Sequence, residues 1–149
     1  MSGLTSAATA LAKLHPKLLI EKCVGNTVVE LLVSIRRDPV FGHCLTLGAG
    51  GVLVELVAKT EVALLPCSER EVEAMLRRLP VWRLMTGYRG RASGDVSATV
   101  NNIVLISRAA CAAGDMLEEL EINPLAVLPQ GEGTIVLDAK LKLTIHPVS

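Results

Sequence analysis

The chain has almost no aromatic side chains: its 149 residues include one Trp, one Tyr and one Phe, 2% in all. Nothing is available to stack bases, and a formal net charge of zero offers no basic surface to a nucleic acid or an anionic membrane. No uninterrupted apolar stretch is long enough to span a bilayer. The start, "MSGLTSAATALAKLHPK", lacks the basic-then-apolar order of a signal peptide. The four cysteines, Cys23, Cys44, Cys67 and Cys111, are far apart and form no C-x-x-C, which argues against a zinc site and a disulfide framework alike. They read as buried, reduced thiols of a cytoplasmic protein. His15, His43 and His146 are equally scattered and read as surface or turn residues rather than ligands.

What is present is aliphatic: 50% of residues are hydrophobic, enough for a real core in one domain spanning 1–149. An Ala-rich helix is expected over Ser6–Leu14, closed by His15-Pro16. "KLLIEKCV" and "NTVVELLVSIRRD" read as strands joined in a hairpin at Gly25-Asn26. "DPVFG" is turn chemistry, "HCLTLGAGGVLVELV" two short strands around a glycine turn, and "EVALLPC" a further strand. "SEREVEAMLRRL" carries a helix start, with Ser68 as N-cap, Glu71 three residues on, and Pro80 as the stop. "LMTGYRGRASG" reads as a loop, and "DVSATVNNIVLISRAACAAG" as a helix capped by Asp95 and ended by Gly114. Strands and helices come in runs, so the expected class is α+β, a largely antiparallel sheet packed with helices.

The last segment, "EINPLAVLPQGEGTIVLDAK", places acids where strands usually carry neutral residues. A two-residue turn at Gly131-Glu132 would set Asn123 opposite Lys140 and Leu125 opposite Asp138. Glu121, Asn123, Asp138 and Lys140 then share one face. Ile122, Ala126, Leu128, Ile135, Leu137, Ala139 and Leu141 share the other and belong in the core. Asn123 and Asp138 become diagonal neighbours roughly 7–8 Å apart, close enough to converge on one small oxygen-seeking cation such as Mg²⁺. Pro124 withholds a ladder donor, which places this strand at an edge or takes it out of the sheet there. A register shifted by one would turn Asp138 into the core and abolish the site. From pattern alone, a half-exposed hairpin whose polar residues face water is the simpler reading.

"LEINPLAVLPQGEGTIVLDAKL" resembles the closing segment of the ATP-grasp domain of ADP-forming (NDP-forming) acyl-CoA synthetases, similar to the succinyl-CoA synthetase β chain. "LLIEKCV", "VVELLVSIRRDPVFG", "LTLGAGGVLVEL" and "LMTGYRGR" resemble further blocks of that domain in the same order, over most of residues 17–143. The resemblance implies ATP-grasp C-terminal-lobe architecture and a reaction in which acyl-CoA, phosphate and ADP give acid, CoA and ATP through acyl phosphate and phosphohistidine. It implies Mg²⁺ and ATP or ADP as cofactors, with Asn123 and Asp138 ligating the metal and Glu121 meeting the incoming histidine. Glu21 would border the nucleotide pocket, and Gly48, Gly50 and Gly51 would allow close backbone approach, though a tight turn explains these glycines as well. Lys140 would meet a phosphate or pair with Glu121. Arg36, Arg37 and Arg89 read as surface residues, and His43 stands where the family commonly has proline.

Residues 1–16 resemble the end of a preceding lobe, so an N-terminal ATP-grasp lobe and a CoA-binding, phosphohistidine-bearing domain or subunit are the expected partners. The chain alone is expected to lack synthetase activity. A homodimer through strand-edge pairing stays open, as does a regulatory, synthetase-like module attached to a protein acetyltransferase.

Overall fold

The computed structural model describes residues 9, 11, 17, 21, 23–51 and 59–144. Six antiparallel strands form one sheet: β1 (Val29–Asp38), β2 (Gly42–Ala49), β3 (Thr60–Leu64), β4 (Leu117–Val127), β5 (Thr134–Val136) and β6 (Ala139–Leu143). Their order is β3-β2-β1-β4-β5, with β6 pairing the other half of β4. Packed with the sheet are α1 (Glu69–Arg78), the one-turn α2 (Trp82–Met85) and α3 (Val96–Ala113), which runs into a 3-10 turn at Gly114–Met116. The class is α+β, as expected.

Alternation makes β1 two-faced. Leu31, Val33 and Ile35 are fully buried, whereas Glu30, Leu32, Ser34 and Arg36 point to the other side. The core is a single layer between sheet and helices. Leu45, Leu47, Ile122 and Leu125 from the sheet join Val72, Met75 and Leu76 from α1 and Ile103 and Val104 from α3. None of α1, α2 and α3 covers the opposite face of the sheet, which holds the candidate site.

The helix starts follow the sequence closely. The Ser68 hydroxyl accepts from Glu71 N–H while the Glu71 carboxylate accepts from Ser68 N–H, closing a capping box. Asp95 caps α3, and Gly114 takes a positive φ of 53° at its end. By length and a mean hydropathy of 1.3, Val96–Met116 is apolar enough to cross a bilayer, although the sequence showed no unbroken apolar stretch of that length. The helix spends that apolarity on one face, burying Val100, Ile103, Val104 and Ala110 in the core.

Several expectations needed correction. The hairpin at Gly25-Asn26 does not form, because both edges of β1 are occupied, by β2 and by β4. Lys17, Glu21, Cys23 and Val24, the described part of "KLLIEKCV", are outside any strand. Thr9 and Leu11 are helical; the rest of the expected N-terminal helix, and the second strand after the glycines, lie outside the described residues. Part of the expected loop after Pro80 is the short helix α2. All four cysteines are free, but only Cys67 is buried; Cys23 and Cys111 are exposed.

Candidate functional site on the open sheet face

The C-terminal hairpin keeps the expected face and changes the expected pairing. Leu125 opposes Val136, Glu121 opposes Lys140, and Asn123 N–H donates to the Asp138 carbonyl at 3.1 Å. Asn123 and Asp138 are therefore direct neighbours across the ladder rather than diagonal ones. The shift is two residues, so side-chain parity survives as far as the bulge at Asn123-Pro124: Glu121 and Lys140 oppose each other on the open face beside Ser34, and Asn123 and Asp138 pair two residues farther on.

The reason is a longer turn. Leu128 N–H donates to the Gly133 carbonyl at 3.0 Å, so four residues, Pro129 to Glu132, make the connection. Asp95 holds this loop in place. One oxygen of its carboxylate caps α3 through Ala98 N–H at 3.1 Å, and the other accepts from Gly131 N–H at 3.0 Å and Gly133 N–H at 3.1 Å. These bonds, with Ala98 the largest contributor, hold the Asp95 carboxyl below its ordinary pKa against the opposing pull of desolvation.

Pro124 does not mark an edge strand. β4 is central, with β1 on one side and β5 and β6 on the other. Leu31 pairs Leu125 and Val33 pairs Ile122, so Asn123 and Pro124 together oppose Leu32 in a bulge. The missing N–H of Pro124 costs no ladder bond there, and the bulge re-aims the neighbouring Asn123. The apolar face of the hairpin is also smaller than expected. Ile122 joins the core, but beyond the bulge Leu125 and Val127 take the core side and Ala126, though buried, opposes Glu30; Leu137 and Leu141 are 42% and 58% exposed, Ala139 is exposed and Ile135 is half-buried. β5 and β6 form the sheet's outer margin, so these residues lie beyond the main helical cover.

The glycine run meets this site from the other side. Gly51 N–H donates to Asn123 Oδ1 at 3.1 Å, fixing which end of the amide presents oxygen. Gly50 N–H donates to the Glu30 carbonyl at 2.8 Å, and a Cβ on Gly50 would stand 2.5 Å from the Leu31 carbonyl carbon. Gly51 has φ +57°, and a Cβ there would fall 1.6 Å from Glu30 Oε2. Both positions require glycine. Gly48 lies within β2, opposite Leu32, and only Gly51 of the three touches a site side chain. Sequence reading missed Glu30, whose carboxylate sits beside Gly51. Its signal was an acid within the apolar opening "VELLV" of a strand.

Farther along the sheet the charges are paired. Arg36 Nη2 lies 2.8 Å from Glu119 Oε1, Arg37 2.7 Å from Asp115, and Lys142 2.5 Å from Glu118. The Arg36 hydrogen bond draws the Glu119 carboxyl below its usual pKa, helped by the charges of Lys140 and Lys142. A second bulge, at Glu118, turns Glu118 and Glu119 towards one cleft of about 580 Å³ beside Arg36 and Arg37. His43 Nε2 lies 2.9 Å from the Leu117 carbonyl, a structural contact. Arg89 stacks on Tyr88 in the loop after α2. Glu21 is exposed.

Asn123 and Asp138 offer oxygen donors of the type Mg²⁺ takes, and Mg²⁺ commonly uses only one or two protein ligands beside water and phosphates. Among the described residues no cluster of three His, Cys, Asp or Glu side chains provides a fuller cage. The donor set thus fits a cation that arrives with a phosphate-bearing ligand.

Residues 5–143 match the ATP-grasp domain model. The chain is 29% identical over 114 residues to the β subunit of an ADP-forming acetate–CoA ligase from Pyrococcus furiosus, covering 76% of this chain and 48% of the subunit. It is 33% identical over 122 residues to a trans-feruloyl-CoA synthase of an unknown prokaryotic organism, covering 82% of this chain and 17% of that one. In three dimensions it is similar to an acetyl-coenzyme A synthetase of Candidatus Korarchaeum cryptofilum, solved with coenzyme A and Mg-AMPPCP and with its phosphohistidine segment pointing towards the nucleotide-binding site. That similarity has a TM-score of 0.73 and 30% identity, and covers 82% of this chain and 55% of the other. The chain spans about half the length of the acetate–CoA ligase subunit it matches. It belongs to the ATP-grasp domain family.

Proposed function

We propose that this chain is the Mg²⁺- and nucleotide-holding lobe of an ADP-forming acyl-CoA synthetase. The observation that carries the reading is the pairing of Asn123 with Asp138 across the hairpin, backbone N–H to carbonyl, with the Asn123 amide oriented by Gly51 N–H. Asn123 Oδ1 and the Asp138 carboxylate would hold Mg²⁺ on the nucleotide phosphates. The ion would supply neutralisation of phosphate charge, the main requirement of phosphoryl transfer besides positioning.

The remaining work belongs to the chain's own groups. Glu121, two residues before Asn123, accepts the N–H of an incoming phosphohistidine imidazole and orients the ring. In the proposed sequence, phosphate displaces CoA from acyl-CoA to give acyl phosphate. Histidine then takes the phosphoryl group and frees the acid. Finally the P–N bond breaks as a P–O bond forms to ADP, and the imidazole recovers its electron pair. The histidine domain and the first ATP-grasp lobe would come from the rest of the assembly. The 149 residues alone are accordingly expected to bind Mg²⁺·ADP weakly and to turn over no acyl-CoA.

The test is a Mg²⁺·ADP titration of the chain combined with a separately expressed first ATP-grasp lobe, followed by calorimetry. Asp138→Ala should abolish the Mg²⁺-dependent part of the affinity. Equal binding by the variant and the parent would remove the metal assignment.

A further inference from the structure

Cations at this end of the sheet mostly have carboxylate partners: Arg36 has Glu119, Arg37 has Asp115, and Lys142 has Glu118. Lys140 differs. It stands directly opposite Glu121 in the β4–β6 ladder, on the same face, where opposed side chains start roughly 4.5–5.5 Å apart at Cβ. Yet among the described residues neither Lys140 nor Glu121 forms an ion pair. Lys140 is also exposed, two residues from Asp138. A matched pair of opposite charges is thus set side by side and left open.

We propose that Lys140 is the residue that binds the phosphoryl group delivered beside Glu121, gripping a phosphoryl oxygen while Glu121 holds the imidazole N–H. This rests on the proposed phosphohistidine docking. A phosphoryl group carries up to two negative charges and would be repelled by Glu121, whereas Glu119 is already matched by Arg36 and Asp138 by the proposed Mg²⁺. An ammonium on a flexible stem follows a moving phosphoryl group better than a guanidinium held by Glu119. Breaking any transient Lys140–Glu121 contact costs little, because exposed ion pairs contribute little. The contact is recognition only, and no covalent bond forms or breaks at Lys140.

The experiment follows backbone amide shifts of the 149-residue chain by NMR. The probes are a Gly-His-Gly peptide phosphorylated on its imidazole, the same peptide unphosphorylated, and Mg²⁺·ADP. The parent should prefer the phosphorylated peptide, with shifts centred on residues 119–123 and 138–142. Lys140→Gln should weaken that peptide by about tenfold, Lys140→Arg should retain most of the affinity, and Mg²⁺·ADP binding should be unchanged in both. The inference is overturned if Lys140→Gln binds the phosphorylated peptide like the parent, if the parent ignores phosphorylation, or if Lys140→Gln instead loses Mg²⁺·ADP. Asp138→Asn gives a separate reading: if it leaves Mg²⁺·ADP binding intact, the metal assignment fails whatever Lys140 does.

Discussion

Removing the Asp95 carboxylate should loosen the hairpin that carries Asp138, because this one buried group organises two elements. It is 6% exposed and accepts three backbone N–H groups, one at the start of α3 and two in the Pro129–Glu132 connection and its end. Losing an N-cap costs about 1 kcal/mol. Leaving Gly131 and Gly133 N–H without their acceptor costs about 1 kcal/mol each, the low end of the range because water reaches Gly131. Asp95→Ala should therefore destabilise the chain by about 3 kcal/mol and lower Tm by about 6–12 °C. Asp95→Asn caps a helix as well as Asp but cannot satisfy both ends, so its loss should be about 2 kcal/mol. Hydrogen exchange separates the contributions: Gly131 and Gly133 amides should lose protection in both variants, Ala98 only in Asp95→Ala. Parent-like melting of Asp95→Asn, or undisturbed Gly131 and Gly133 amides, would refute the reasoning.

Acid should act at the same place. Because the folded Asp95 carboxyl titrates below its ordinary value, its stabilisation is complete above the unfolded pKa near 3.8 and is lost as pH falls through the lower folded value. Exchange at Gly131 and Gly133 should thus accelerate in that window before the core opens, and Asp95→Asn should remove the effect. Gly50→Ala should destabilise by several kcal/mol, since its Cβ meets the Leu31 backbone rather than a movable side chain; a Tm within 2 °C of the parent would contradict the close approach. Iodoacetamide should modify Cys23 and Cys111 in the native chain but Cys67 only on unfolding, because burial both covers the Cys67 thiol and raises its pKa.

How much of this was legible in the sequence depended on how local the cause was. Ser68 and Glu71, three residues apart, announced their capping box, and Asp95 announced a helix start. That Glu121 and Lys140 share a face was legible too, because any even shift of register keeps them there, but alternation holds only as far as the bulge. The particular pairing was not. It depends on Asp95 drawing in two glycine amides from 36 and 38 residues away, a contact no spacing rule contains. Pro124 looked like an edge marker because its missing donor is a local fact, whereas the bulge that accommodates it belongs to a neighbouring strand. Glu30 escaped for a similar reason: its relation to Asn123 runs through Gly51, which the sequence separates from both. The apolar residues of β6 read as core because alternation reports a face, not whether anything covers it.

The central claim is that Asn123 and Asp138 hold a divalent ion on a nucleotide, and paramagnetic relaxation tests it most directly. With Mn²⁺·ADP in place of Mg²⁺·ADP, amide signals of Gly51, Asn123 and Asp138 should broaden first, those of the Ser68 and Glu71 cap should stay sharp, and Asp138→Ala should erase the pattern. Broadening centred anywhere else, or unchanged in Asp138→Ala, would contradict the account.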